Sequence, residues 1–326
     1  MEECECLCSV YKSEKWNEIK QKYVGKIVIP FSVYGDVFEV NNPLGSHSGV
    51  NKEHALYCCI VGLPPEYSSL LENIFLFQLY KSSYKKMINM SKLYNPVMQQ
   101  ICDLQENGID ITVKGQAYKV YLCLFNFSGD NLELHNVLGF HESFNSRHPC
   151  RLCYMRKEEC QTATKENVKK MRSTEKHNDD VASKQNGVKQ KSIFEKLPGF
   201  NIFQNVSFDQ MHDLLEGICR YEIATILYHL IFIEKQFAYT QLKQRMENFD
   251  YHSKMKKNVT PIIKLEHIKN QMLVMSASEM NFLLNNLSLF VGDLVPNNSK
   301  AWNLYVSLHK LVSLVMMLSL QIKLIT

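Results

Sequence analysis

KIVIPFSVYGDVFEV, from Lys26 to Val40, is the stretch on which the fold turns. It is rich in valine, isoleucine, phenylalanine and tyrosine, which suit a pleated backbone, and it runs into the turn-forming NNPLGSHSG of residues 41–49. That is a strand ending in a loop. Working outward, Ala55 to Leu63 is a second β-rich run, stopped by Pro64 and Pro65, and Asn73 to Tyr80 is a third. A lysine-rich stretch with helical periodicity follows from about Ser83 to Gln105, and Pro96 is expected to kink or divide it. Then come Asp110 to Val113, a turn at Lys114 and Gly115, and the apolar strand YKVYLCLFNF (Tyr118 to Phe127), which ends at Ser128, Gly129 and Asp130. The order is three strands, a helix, then a buried strand.

The rest of the chain has a different texture. From Arg156 to Lys191 it carries ten lysines or arginines and six acids with almost no large apolar residues. Such a stretch cannot bury enough surface to fold alone, so a mobile loop or an insertion is expected there. Beyond Ser192 the pattern is helical: Val206 to Lys235, Tyr239 to Phe249, Ile262 to Leu273, Ser276 to Leu289, and Ala301 onward after the breaker PNNS (Pro296 to Ser299). The fold class read from this order is α/β.

At 326 residues and 45% hydrophobic, the chain can build a real core, which excludes disorder of the whole. Lysine plus arginine is 37 against 33 acids, so a net charge of +4 announces no nucleic-acid surface by itself. Any basic face must be local. Eleven cysteines, an odd number, are scattered along the chain, and the acidic opening MEECECLCSVYKSEKW is unlike a secretory signal. A reducing compartment is expected. The uncharged stretch Leu311 to Ile322 is twelve residues long, against about 20 for a bilayer span, and reads as a buried helix. No membrane partner is expected.

Asp36 and Asp130 each stand at or near the end of a β-rich segment. Three strands, a helix and a fourth strand is the element order of the ribonuclease-H-like nuclease core, in which one carboxylate sits on the first strand and a second follows the fourth. Two such acids close together could hold magnesium, a hard cation that demands oxygen ligands, for in-line attack on phosphorus. The plainer account makes both of them solvent-facing loop acids. A third acid, Glu279 in MSASEM, opens a helix, yet Ser276 three residues before it has the spacing of a capping box. Cys150 and Cys153 are the best metal signal, because a two-residue gap lets both thiolates reach one zinc. His148, Cys160, or Asp209 with His212 one helical turn on could complete it; a pair of free thiols and a helix-capping aspartate account for the same residues. The lysine clusters Lys85 and Lys86, Lys169 and Lys170, and Lys254, Lys256 and Lys257, with Lys264 and Lys269 beyond, are either phosphate contacts or solvated faces. No glycine-rich phosphate loop and no nucleophile elbow is present.

Six stretches together resemble transposase-derived proteins related to the CACTA (EnSpm) group of cut-and-paste DNA transposases. They are YGDVFEVNNPLGSHSG (34–49), LPPEYSSLLENIFL (63–76), SGDNLELHNVLGFHESF (128–144), PCRLC (149–153), FDQMHDLLEGICRYEIATIL (208–227) and MSASEM with VGDLVP (275–296), in family order over about 260 residues. The resemblance implies a ribonuclease-H-like core, a mixed sheet with helices, interrupted by a mostly helical insertion between the second and third acids. By motif position Asp36, Asp130 and Glu279 are the catalytic acids, binding Mg2+ or Mn2+, and Cys150, Cys153, Asp209 and His212 form a structural Zn2+ site. Val37 stands where the family commonly carries a further acid.

On this reading residues 1–25 are an N-terminal segment and 26–145 the first part of the core. Residues 146–274 are the insertion, with a flexible charged loop at 155–192, and 275–326 are a helical C-terminal part, apparently truncated. The family's N-terminal DNA-binding zinc finger and C-terminal portion are not in the chain, which resembles a decayed or domesticated fragment. The expected function is DNA strand cleavage and transfer on transposon ends, in the nucleus, by a chain able to form a homo-oligomer. The alternatives are a domesticated, non-catalytic nuclear protein that binds DNA or protein, or a genomic relic.

Overall fold

The computed structural model describes residues 6–7, 10–40, 51–68, 70–251, 259–316 and 320–321. The chain divides into two compact units, Leu7–Ser207 and Phe208–Thr326 with Met1–Cys6. Residues 41–49, read as the loop after the first strand, lie outside the described residues.

The first unit is α/β, built on a five-stranded mixed sheet. Its strands are β1 (Ile27–Glu39), β2 (Lys52–Ile60), β3 (Ile74–Lys81), β4 (Ile109–Val113) and β5 (Gln116–Gly129), in the spatial order β3-β2-β1-β5-β4. β1 is antiparallel to β2, and β2 to β3, so the first three strands pair in chain order. β5 lies parallel to β1, a crossover that the intervening helix makes available. β4 pairs antiparallel with β5 through the turn at Lys114 and Gly115, both at positive φ.

Four helices dress this sheet: α1 (Glu14–Lys22), α2 (Met90–Glu106), α3 (Asn131–Val137) and α4 (Thr174–Ser183). α2 runs unbroken through Pro96. It buries Tyr94, Val97, Met98 and Ile101 on one stripe, and at about 1.5–3 kcal/mol for each large apolar side chain this outweighs the ~3 kcal/mol that an interior proline costs. That stripe joins Phe31, Val33, Leu56, Leu124, Phe127 and Leu134 in one core. α1 covers the other face of the sheet with Trp16 and Ile19 against Cys123.

The charged stretch 156–191 is not a bare loop. It supplies a short helix, Lys157–Thr162, and then α4, and it buries His177 and Val188 in this unit. Polar pairing replaces apolar burial as what orders it. The buried Arg172 guanidinium donates to the carbonyls of Cys150 and Asn186, sits 3.5 Å from Asp180, and lies over the rings of Phe140 and Tyr154. The division between the two units falls within residues 146–274, the expected insertion: residues up to Ser207 belong to the sheet unit and those from Phe208 to the other.

The second unit is helical. Wide turns over Met211–Ile218 lead into α5 (Cys219–Tyr228) and more wide turns at His229–Ile233; α6 (Tyr239–Glu247), α7 (Ala277–Val291) and α8 (Lys300–Val315) follow. Leu215, Ile223, Leu227, Leu283, Leu287, Phe290 and Leu308 share its core. The stretch from Leu311, expected to be a buried helix, is helical only to Val315, and of its first residues Val312 is buried while Leu311, Leu314 and Val315 are exposed. Among the described residues, no helix is long and apolar enough to cross a membrane.

Candidate functional site

Within the sheet unit, register brings two of the expected acids together. Gly35 of β1 is paired in parallel with Gly129, the last residue of β5, so Asp36 in β1 and Asp130 just past β5 are the residues that follow a matched pair on strands about 4.8 Å apart. Asp130 keeps an extended backbone (φ −65°, ψ 166°), so alternation carries both acids to the side of the sheet opposite Gly35 and Gly129. Each carboxylate is half committed. Asp130 caps α3, its Oδ1 accepting the Glu133 N–H at 2.6 Å, and Asp36 Oδ1 accepts the Val37 N–H at 2.8 Å. Among the described residues the second oxygen of each has no hydrogen-bond partner. Hard oxygen donors in pairs suit magnesium, which is held by one or two carboxylates plus waters and substrate phosphates. The pair fits such an ion as a partial, open site; among the described residues no group of three or more His, Cys, Asp or Glu is arranged to hold a metal.

Beneath the two glycines lies a group that sequence reasoning missed. Glu133, in the first turn of α3, is 5% exposed. A Cβ on Gly35 would stand 3.1 Å from its Cγ, so the missing side chain is what lets this carboxylate in. Lys85 Nζ donates to Oε2 at 2.6 Å and the Tyr94 hydroxyl to Oε1 at 3.0 Å. His54 Nε2 lies 2.8 Å from Oε1, at ion-pair distance but off the hydrogen-bond line, and Nδ1 has no hydrogen-bond partner among the described residues. The imidazole is fully buried and stacked 4.6 Å from Tyr80, whose hydroxyl meets that of Tyr94 at 3.2 Å. Burial by itself would push the Glu133 carboxyl up; His54 and Lys85 reverse that and hold it at about 2. Burial and the Glu133 charge drive the Tyr94 phenol well above its ordinary value. The residues come from β2, the short helix Tyr84–Met87 after β3, α2 and α3, too far apart for any motif. Of the lysines that are candidate phosphate contacts in the sequence, Lys85 faces inward on Glu133 and Lys170 is paired with Glu159.

The remaining expected site residues are divided between the two units. Glu279 belongs to the helical unit, and its Oε2 takes the Ser276 N–H at 2.8 Å and the Ser276 hydroxyl at 2.9 Å, the reciprocal cap of α7. Cys150 and Cys153 are in the sheet unit, on a loop tied to α3 by Arg151 to Asn131 (2.8 Å) and by the Pro149 carbonyl to the His135 ring (3.0 Å). Leu152 N–H points at Cys150 Sγ at 3.3 Å, and burial, with Cys150 and Cys160 adding to it, pushes the Cys153 thiol up to about 11. Asp209 and His212 open the helical unit and bond directly to each other. Lys254, Lys256 and Lys257 lie outside the described residues. No protein-family model matches the chain, and no curated protein sequence matches it.

Proposed function

We propose that the sheet unit is the catalytic core of a DNA strand-cleaving and strand-transferring enzyme of the acidic-triad type, ribonuclease-H-like in plan and derived from a cut-and-paste transposase. The observation that carries this reading is the Gly35–Gly129 pairing, after which Asp36, within β1, and Asp130, just past the end of β5, follow on neighbouring stretches of the chain. The central place of β1, parallel to β5, which comes after the long helix and the edge strand β4, supports the ribonuclease-H-like plan, and the six resembling stretches support the transposase origin.

Asp36 and Asp130 would bind a divalent cation, magnesium or manganese, through the oxygens that their backbone donors leave open. The chemistry a bound cation supplies is activation of a water or sugar hydroxyl and stabilisation of the leaving oxygen in in-line attack on a phosphodiester. The chain's part is orientation: each aspartate is locked by a backbone N–H on one oxygen, so little freedom is left to freeze on binding. Glu279 would be a third ligand by motif position alone, since its carboxylate already closes a helix cap. Cys150 and Cys153 would supply two thiolates to a structural zinc. The partner is DNA, and the place of work the nucleus.

The test is nicking of supercoiled DNA by the purified chain with magnesium or manganese, beside Asp36→Asn and Asp130→Asn. Metal-dependent nicking that both substitutions abolish is the expected result. Nicking equal in all three proteins would assign the activity to a contaminant, and its absence from the unsubstituted chain would leave a non-catalytic fold.

A further inference from the structure

We propose that Glu133 is a positioning residue for the Asp36–Asp130 pair, clamped for that task by Lys85, Tyr94 and His54; this rests on the divalent-cation reading above. Three observations carry it. First, Glu133 touches the pair through its backbone: its N–H holds Asp130 Oδ1 at 2.6 Å. Second, its side chain fills the space under both strand ends, with Cγ 3.1 Å from a Cβ position on Gly35 and Cβ 3.5 Å from one on Gly129. Third, its carboxylate is gripped from three further elements, by Lys85 at 2.6 Å, Tyr94 at 3.0 Å and His54 at 2.8 Å.

An apolar side chain would fill the same volume without the cost of burying a charge, so packing alone does not explain a carboxylate there. What a charged group adds is direction. Donors on both oxygens fix the rotation of the side chain, hence the first turn of α3, hence the N–H that aims Asp130. Groups that orient ligands from behind typically change metal affinity by about 10- to 100-fold when removed.

Lys85→Met separates this from a through-space effect. Loss of a nearby positive charge would tighten cation binding at the acid pair, or leave it unchanged if Glu133 takes up a proton; loss of positioning must weaken it. The experiment is titration with Mn2+, read by the paramagnetic signal of the free ion, on the whole chain and on Asp130→Asn, Lys85→Met and Tyr94→Phe, with folding checked by circular dichroism. The expected result is binding by the unsubstituted chain, its loss in Asp130→Asn, weakening of about 10- to 100-fold in Lys85→Met, and a smaller weakening in Tyr94→Phe, which decides the matter if Lys85→Met does not fold. Unchanged affinity in the folded variants, with Asp130→Asn still dead, overturns the positioning role and spares the cation site. No Mn2+ binding by the unsubstituted chain, or none that Asp130→Asn removes, overturns the cation site and the inference with it.

Discussion

The two sides of the sheet at Gly35 and Gly129 treat acids in opposite ways. On one side Asp36 and Asp130 each spend one oxygen on a backbone N–H and, among the described residues, leave the other without a hydrogen-bond partner. On the other, Glu133 is buried and its oxygens are spent on Lys85, Tyr94 and His54. Only a few ångströms of glycine backbone divide them. On the proposed reading the half-used pair takes a cation, whereas a closed carboxylate is structural unless it acts through a neighbour. The difference teaches that position on a strand end does not decide an acid's role; its remaining oxygens do.

Breaking the closed side has the largest effect. Removing one partner of a buried pair strands the other, so Lys85→Met or Glu133→Leu is expected to cost about 3–5 kcal/mol in urea unfolding, and the double substitution to recover much of it. If each single change costs little, the cluster is solvated in solution and the contrast fails. Acid sharpens the same point. The Glu133 carboxyl is held below its unfolded value of 4.5, at about 2. Its stabilisation is therefore complete above pH 4.5 and is lost as pH falls from there toward 2. The urea midpoint should drop through that window, and the drop should be shallower in Glu133→Gln.

A next step down is Gly35→Ala. Its Cβ would meet Glu133, Phe127 and Leu56 atoms at 3.1–3.3 Å, which predicts a loss of about 1–3 kcal/mol by thermal unfolding. In the helical unit, Ser276→Ala removes the cap of α7 and should cost about 1 kcal/mol. Glu279→Gln keeps the capping geometry, so stability should hold; if nicking then disappears, Glu279 is a ligand as well as a cap. The smallest change is on the side of the half-used pair. Asp36→Asn should stay within about 0.5 kcal/mol, as should Asp130→Asn, because asparagine caps a helix about as well as aspartate. Their effect belongs to metal binding, not to folding.

Much of the sheet was legible. The β-rich runs at 26–40, 55–63, 73–80 and 118–127 correspond to β1, β2, β3 and β5, because residue type and turn chemistry are local. Strand order and register were not local, and without them Asp36 and Asp130 were two acids among many. His54, Lys85 and Glu133 were illegible for the same reason: each is unremarkable in its own stretch, and only the packing of β2, the short helix after β3, and α3 makes them one group. The stretch 156–191 misled in the other direction. Few apolar residues suggested a mobile loop or an insertion, and Arg172 with Asp180, Asn186 and two aromatic rings ties the stretch down by polar contacts that composition does not show. At Glu279 the capping-box reading of the sequence is the geometry observed.

The central claim is that Asp36 and Asp130 together grip a divalent ion. Its most direct measurement is the broadening of backbone amide resonances by a trace of Mn2+ in the otherwise metal-free chain. Selective loss of the signals of Val37, Asn131 and their neighbours, reversed by excess Mg2+ and absent in Asp36→Asn, is the predicted result. Sharp signals there at every Mn2+ level, or broadening that survives Asp36→Asn, would contradict it.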